Sequence, residues 1–323
     1  MVSTSAVVAE ERRAAAPMLQ AARIHWSQYR ILLGATVGLG AMDGVWLSFS
    51  GLAISPGPAL LRLGIALLLL IGAAAYGLTG RSERISATLL SAGTLLLFTF
   101  FGVILNYLAI RAGWPLADDL LASWDRALGL DWPAYEQLIA GHAWIAAITR
   151  VLYGTSVIQI LVTILVLGFS ARLDVLAEFT AGLIIVALIT VVVGALLPAL
   201  GAHHHYGMPD HGAAFFIREI VAAHSGSLHV LNLSAAEGLV TFPSFHTAIS
   251  VAVVIACWSV SYLRYPTLAA NLVLVAGVPV WGSHYFVDVA AGAILTVVAV
   301  LAWRRMFRAP EIETYSTRAT SAV

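Results

Sequence analysis

Two short segments carry the side chains whose types and spacing suit chemistry. The run 243–247 reads Pro-Ser-Phe-His-Thr and contains His246, and the run 284–288 reads His-Tyr-Phe-Val-Asp and contains His284 and Asp288. Each lies at the start of a long apolar stretch, where a titratable group is costly and usually functional. Because His284 and Asp288 are four residues apart, the carboxylate can accept from one ring nitrogen and leave the other to react.

Ser244 and His246 stand at the predicted beginning of a helix. The first N–H groups of a helix lack partners within it and lie at the positive end of its dipole, so they favour a phosphate. Two imidazoles beside such an anion site, one of them oriented by a carboxylate, suit phosphoryl transfer through a phosphohistidine. In that chemistry His284 is the nucleophile and His246 the general acid and base.

The composition is that of a membrane protein. Of the 323 residues, 60% are hydrophobic and only 11% are charged, whereas soluble domains are about half apolar and about a quarter charged. Since about twenty apolar residues cross a bilayer, we predict an all-α fold, a polytopic bundle of about eight membrane-spanning helices. The predicted spans are 31–50, 58–78, 85–110, 145–169, 175–200, 245–262, 267–283 and 285–303.

Scarce residue types exclude several kinds of site. All 17 basic residues are arginine and the net charge is zero, which excludes lysine Schiff bases and argues against a nucleic-acid partner. The one cysteine, Cys257, excludes an intrachain disulfide and a cysteine-based metal site. The run His203, His204 and His205 is predicted to line the substrate entrance rather than a metal site, because helical ligands usually lie four residues apart. We expect neither a metal nor a cofactor.

The arginines predict the orientation of the chain. With eight spans, five of the 17 arginines lie on one side and all the others share the side of the two termini. The positive-inside rule then places both termini in the cytoplasm, and His246 and His284 at the periplasmic or exterior face, as in a bacterial inner membrane. The five are Arg62, Arg111, Arg126, Arg150 and Arg218.

Two long loops on that outer side are predicted to enclose the site. In residues 111–144, Leu120, Trp124 and Leu128 recur at helical spacing, which indicates helices that lie in the membrane interface. Residues 201–243 contain six of the 10 histidines and are predicted to form the lid and entrance. The acidic residues of the first loop are interpreted as a solvated polar face. They are Asp118, Asp119, Asp125 and Asp131.

A polar strip lies inside the fourth predicted span. Tyr153, Ser156 and Gln159 follow one another at helical spacing on one face. We interpret the strip as a site of hydrogen bonding between helices rather than of contact with substrate.

The two reactive segments resemble the signatures of the type 2 phosphatidic acid phosphatase superfamily. Residues 243–246 are similar to its Pro-Ser-Gly-His signature, and His284 and Asp288 match the His-x-x-x-Asp end of another. The variant His-Tyr-x-x-Asp-Val looks most like the branch of inositol phosphorylceramide synthases and sphingomyelin synthases. The resemblance implies a metal-independent enzyme with a six-helix catalytic core, here residues 85–303. The remaining parts are two additional transmembrane helices in 30–80 and polar cytoplasmic tails at 1–29 and 304–323.

The chain departs from the phosphatase branch at two phosphate-binding cations. The Lys-x6-Arg-Pro signature cannot occur without lysine, and Val278 stands six residues before His284, where that branch has arginine. Arg218 is the predicted replacement cation and binds phosphate together with Ser244. A salt bridge between Arg218 and a nearby carboxylate such as Glu219 is the alternative.

These features predict a phosphotransferase that acts on a lipid phosphate or a phospholipid headgroup, with a lipid or polyol alcohol as acceptor. A lipid phosphate phosphatase, which hydrolyses phosphatidic acid or an isoprenoid phosphate, shares the first half-reaction. A non-catalytic transporter or scaffold is a third interpretation, although a transporter should carry its charged groups near the membrane midplane. The sequence does not define the headgroup, the lipid tail, the acceptor or the oligomeric state.

Overall fold

A computed structural model describes residues 26–209, 214–233 and 238–307, and these are predominantly helical with two short strands, which confirms the predicted all-α fold. The predicted tails fall mostly outside these residues. The helices are α1 (Trp26–Ser50), α2 (Pro56–Leu78), α3 (Glu83–Ile110), α4 (Asp118–Ala127), α5 (Trp132–Ala140), α6 (Ala143–Tyr153), α7 (Ser156–Phe169), α8 (Leu173–Leu196), α9 (Ala202–Tyr206), α10 (Ala214–His224), α11 (Phe245–Cys257), α12 (Arg264–Trp281) and α13 (Phe286–Phe307). Two short strands, β1 (Ala53–Ile54) and β2 (Val230–Leu231), pair in parallel.

Five of the described helices, α1, α2, α3, α8 and α13, are long and apolar enough to cross a membrane. Helices α6 and α7 together make a sixth candidate, although they meet at a bend of 51°. Helix α11 is shorter, with 13 residues, and α12 is not among the candidates. The chain is therefore an integral membrane protein with five or six clear spans, and the number eight stays a prediction.

The first two helices lie on the outside of the bundle. Helix α2 packs on α3, but only Ala66 and Ala73 of its side chains are buried. Large apolar side chains such as Leu60 and Leu68 are exposed along it. A helix that is apolar on all sides and exposed on most of them is suited to lipid rather than to water.

Helix α11 occupies the centre of the other half. It packs against α7, α8, α12 and α13, and its buried side chains include Ala248, Ala252 and Ala256. These small residues recur every four positions, which lets neighbouring helices approach closely. Both reactive segments lie next to this contact, because α11 begins just after Ser244 and α13 begins just after Tyr285.

The far end of α13 is tied to α8 by an ion pair. Arg304 donates from Nε and Nη2 to the two carboxylate oxygens of Glu178, at 2.9 and 2.8 Å. Such two-point contacts between arginine and carboxylate are among the stronger charged hydrogen bonds. The helix continues to Phe307, so the predicted tail 304–323 begins inside α13.

Candidate active site

The first histidine stands in the first turn of α11, as predicted. Ser244 is the N-cap, and its Oγ accepts from the N–H of Thr247 at 3.4 Å. The backbone N–H of Ser244 donates to the carbonyl of Asp288 at 3.0 Å. Ser244 is fully buried. Its hydroxyl caps α11, and its backbone N–H joins the segment 243–247 to the segment 284–288. His246, two positions later, is partly exposed.

A glycine allows these two segments to meet. Gly292 in α13 lies directly against the backbone of Ser244, and a Cβ at this position would collide with the Ser244 carbonyl oxygen. The second turn of α13 can therefore approach the beginning of α11 only because residue 292 has no side chain.

The second histidine lies in the link between α12 and α13 rather than within a helix. His284 Nδ1 is 3.2 Å from Oδ2 of Asp288, which also accepts from the N–H of Tyr285 at 2.8 Å. The predicted pairing of His284 with Asp288 is thus present, but the imidazole comes from outside the helix that carries the carboxylate. The hydrogen bonds within α13 therefore do not position the ring of His284.

The structure brings the two histidines together and adds a tyrosine. The ring centroids of His246 and His284 are 6.4 Å apart. Tyr153, at the end of α6, stacks on His246 with centroids 4.3 Å apart, and its hydroxyl is 3.2 Å from Nδ1. The direction of this hydrogen bond depends on the protonation of the ring, because the hydroxyl accepts from a protonated Nδ1 and donates to a bare one.

The polar strip that contains Tyr153 has two roles. Gln159 Oε1 accepts from Nδ2 of Asn271 at 2.8 Å, which confirms the predicted hydrogen bonding between helices. Tyr153 also makes a hydrogen bond between helices, from α6 to His246 in α11, as predicted, and its partner is one of the two candidate histidines. Sequence spacing could not reveal this contact, since it depends on how α6 packs in the bundle.

Burial determines the protonation of His284 and of its neighbour Tyr285. It lowers the pKa of His284 to about 4, and a hydrogen bond to the backbone carbonyl of Thr241 opposes this effect by favouring the charged ring. Burial also raises the pKa of Tyr285, as do the negative charges of Asp118 and Asp288. His284 is therefore neutral at pH 7, which is the form in which an imidazole acts as a nucleophile.

Two aspartates of the first outer loop are buried beside this link, so their interpretation as a solvated face was wrong. Asp125 is 0% exposed and accepts from the N–H groups of Phe286 and Val287. Asp118 is 9% exposed and accepts from Tyr285 Oη. The other two aspartates, Asp119 and Asp131, are exposed as predicted.

The predicted entrance histidines differ in their surroundings. His203 is buried against Trp132, with ring centroids 4.8 Å apart. The backbone N–H of His203 donates to Ser283 Oγ at 3.1 Å. His204 is exposed, and His205 Nδ1 lies 3.6 Å from the carboxylate of Asp119. Helix α9 therefore packs next to the residue that precedes His284.

The predicted phosphate-binding cation, Arg218, is exposed on α10. Within the described parts of the chain no hydrogen bond or ion pair involves it, and Glu219 accepts from the hydroxyl of Tyr107 at 3.1 Å. A different arginine, Arg150, stands on the helix that carries Tyr153. The guanidinium of Arg150 is 5.4 Å from the ring centroid of Trp281, and Arg150 stands one helical turn before Tyr153.

Among residues 26–209, 214–233 and 238–307, no group of three or more His, Cys, Asp or Glu side chains is arranged to hold a metal ion. The predicted site side chains fall into three places. His246, His284 and Asp288 meet with Ser244, the histidines of α9 adjoin them through Ser283, and Arg218 lies on α10.

Comparison with known proteins gives one finding. A family model described as the PAP2 superfamily matches residues 119–302, which is more than half of the chain. The matched range contains His246, His284, Asp288 and most of residues 111–144. No curated protein and no solved structure matches the chain.

Proposed function

Because the chain belongs to the PAP2 superfamily, we propose that it is a metal-independent membrane phosphotransferase with a phosphohistidine intermediate. Its substrate is a lipid phosphate or a phospholipid headgroup. The observation that carries the proposal is the pair of imidazoles 6.4 Å apart, one of which faces a carboxylate. Membership of the superfamily supports phosphatase or phosphotransferase chemistry in general, and the residue roles are our proposal.

In the first half-reaction, Nε2 of His284 attacks phosphorus while the bond from phosphorus to the leaving oxygen breaks. Asp288, 3.2 Å from Nδ1, keeps the proton on that nitrogen and stabilises the positive ring that forms. His246 begins this step doubly protonated, gives its Nε2 proton to the leaving oxygen and becomes a neutral imidazole. The Tyr153 hydroxyl oxygen, 3.2 Å from Nδ1 of His246, accepts from the Nδ1–H that remains.

In the second half-reaction, the acceptor replaces His284 on phosphorus. His246 now accepts the proton of the acceptor hydroxyl, a new phosphorus–oxygen bond forms and the phosphorus–nitrogen bond breaks. Both histidines return to their starting states. An alcohol as acceptor gives a phosphodiester, and water as acceptor gives hydrolysis.

We propose that the phosphate oxygens are held by the start of α11 and by a guanidinium. The N–H groups of Phe245 and His246 precede the first hydrogen bond within the helix and favour an anion. Ser244 acts as the cap that fixes this turn. Arg218 was predicted from the sequence as the cation, and Arg150 is supported by its position one turn from Tyr153.

Transfer is favoured over hydrolysis by the walls of the site. Trp132 donates from Nε1 to the carbonyl of His284 at 2.9 Å, and His203 adjoins Ser283. His284 itself is only 4% exposed. A site that limits water protects a reactive intermediate from hydrolysis, so we propose a lipid or polyol alcohol as acceptor, as in the branch that the His-Tyr-x-x-Asp-Val segment resembles.

The substrate class can be tested with purified protein and a panel of lipid donors and alcohol acceptors. Free phosphate and new phosphodiester are measured separately, with and without EDTA. The proposal expects phosphodiester to form faster than phosphate, and no loss of activity on chelation. Efficient hydrolysis of phosphatidic acid or an isoprenoid phosphate, with no acceptor ever modified, would make the protein a phosphatase instead.

We further propose that the site faces the periplasm or exterior, with both termini in the cytoplasm. Two exposed serines offer matched positions for a test: Ser225 in the second outer loop and Ser170 between α7 and α8. In a protein whose Cys257 is replaced, a membrane-impermeant thiol reagent applied to intact cells should label Ser225→Cys and spare Ser170→Cys. The reverse pattern would place the site at the cytoplasmic face.

A further inference from the structure

Two buried carboxylates hold the main chain on either side of His284. Asp125 accepts from the N–H groups of Phe286 and Val287, each at 2.9 Å, one to each oxygen. Asp118 accepts from the hydroxyl of Tyr285 at 2.9 Å. Asp118 also accepts from two backbone N–H groups just before α9, those of Leu200 at 3.0 Å and Gly201 at 2.9 Å.

Both aspartates come from α4, whose two faces are unusual. Asp118 and Asp125 lie seven residues apart on one side, together with the buried Leu121 and Ala122. The opposite side exposes the apolar Leu120, Trp124 and Leu128. The helix therefore turns its carboxylates inward to the reactive link and its apolar side chains outward, as a helix at a membrane surface would.

The reactive link needs such external support. His284 precedes α13 and is not held by helical hydrogen bonds, yet its ring must meet a carboxylate inside that helix. The residues between them, Tyr285, Phe286 and Val287, are the ones that α4 holds. Two of these contacts occupy the first N–H groups of α13, which have no partners within the helix.

We propose that Asp118 and Asp125 are positioning residues that fix the link 284–287, so that His284 pairs with Asp288 and faces His246. The inference rests on the proposed function, because it assigns the aspartates to the geometry of that reaction. Neither aspartate touches the phosphate. Their effect passes through the backbone and through the Tyr285 hydroxyl to the imidazole.

Orthovanadate is the probe for the test, since it takes up the five-coordinate geometry of phosphoryl transfer and would bond to Nε2 of His284. Its dissociation constant can be measured by calorimetry, without turnover. We expect vanadate to bind the wild type and not His284→Ala. Asp125→Ala should weaken binding by at least about 10-fold, because a shift of about 1 Å costs about 100-fold in such geometry.

Ser82→Ala is the matched control. Ser82 also caps a helix, by accepting from the N–H of Ile85 at 3.3 Å, but that helix is α3 and the contact does not involve the link. Both alanine variants should lower the melting temperature, whereas only Asp125→Ala should weaken vanadate binding. Asp125→Asn retains one of the two acceptor oxygens, so its affinity should lie between those of the wild type and Asp125→Ala.

A milder variant covers the case in which Asp125→Ala fails to fold. Tyr285→Phe removes one hydroxyl and leaves Asp118 its two backbone contacts. It should weaken vanadate binding by about 2- to 10-fold, the usual size of one lost hydrogen bond. If vanadate fails to bind the wild type, or binds His284→Ala equally well, the proposed function falls and this inference with it. If those two behave as expected but Asp125→Asn and Tyr285→Phe bind as tightly as the wild type, the positioning role alone is refuted.

Discussion

The substitution Gly282→Ala tests the site geometry with a single methyl group. Gly282 ends α12 with φ −102° and ψ 0°, a conformation open to other residues, so the effect is steric. A Cβ would lie 2.6 Å from Cδ2 of His284 and 2.9 Å from the hydroxyl of Tyr153. Ordinary contact begins near 3.4 Å, so the imidazole must move by roughly 0.8 Å.

A displacement of this size should lower kcat by about 100-fold, while overpacking lowers the free energy of unfolding by about 1–3 kcal/mol. Gly154→Ala is the control. Gly154 also ends a helix beside the site, but its Cβ would meet atoms no nearer than 3.5 Å. Turnover and melting temperature are measured for both variants. If Gly282→Ala keeps more than about half of the wild-type kcat, the packing of His284 against Tyr153 is not as we describe it.

Three further predictions follow from the same contacts. Tyr153→Phe should lower kcat by about 2- to 10-fold, because one hydrogen bond to His246 is lost; an unchanged rate across the pH range would exclude a role for the hydroxyl. Arg150→Ala should raise KM for a phosphorylated substrate by at least about 10-fold, since charged hydrogen bonds contribute about 1.5–3 kcal/mol, and Arg218→Ala should have the smaller effect; the opposite order would restore the sequence-based choice. The pKa of His284 is lowered to about 4 from an ordinary 6.5, so the unfolded chain binds more protons between these values and stability should fall as the pH drops from 6.5 to 4. His284→Asn should show a weaker dependence of melting temperature on pH in this window, and equal slopes would contradict the buried neutral ring.

Apolar runs in the sequence were enough to predict the helical fold. Each of the eight predicted spans corresponds to a helix or to a bent pair of helices, because burial in lipid or protein demands internal backbone hydrogen bonding. Their lengths could not be predicted as well. Helix α11 ends at Cys257 and α6 and α7 meet at a bend, and both features depend on packing between helices.

The pairing of His284 with Asp288 and the place of His246 at a helix start could also be predicted, because the groups lie close together along each segment. His284 and Asp288 are four residues apart, and His246 follows a capping serine. The aspartates of α4 were misjudged for a physical reason. In water a helix turns carboxylates outward, whereas α4 exposes apolar side chains such as Trp124 and buries Asp125.

Contacts that form only when distant helices pack together could not be predicted from neighbouring residues in the sequence. Tyr153 reaches His246 across 93 positions of the chain, and Arg150 reaches Trp281 across a still longer separation. The spacing of Arg150 and Tyr153 on one face of α6 is the one feature of the sequence that could have suggested a shared role.

The most direct test of the account is the chemical identity of the intermediate. Purified protein is mixed with a radiolabelled donor lipid found in the panel and quenched in alkali within one turnover, because a phosphorus–nitrogen bond to histidine survives base and is lost in acid. Peptide mapping by mass spectrometry then locates the label. We predict an acid-labile adduct on His284 that is absent from His284→Ala. Label on another residue, or turnover by His284→Ala at more than about a tenth of the wild-type rate, would contradict nucleophilic catalysis by His284.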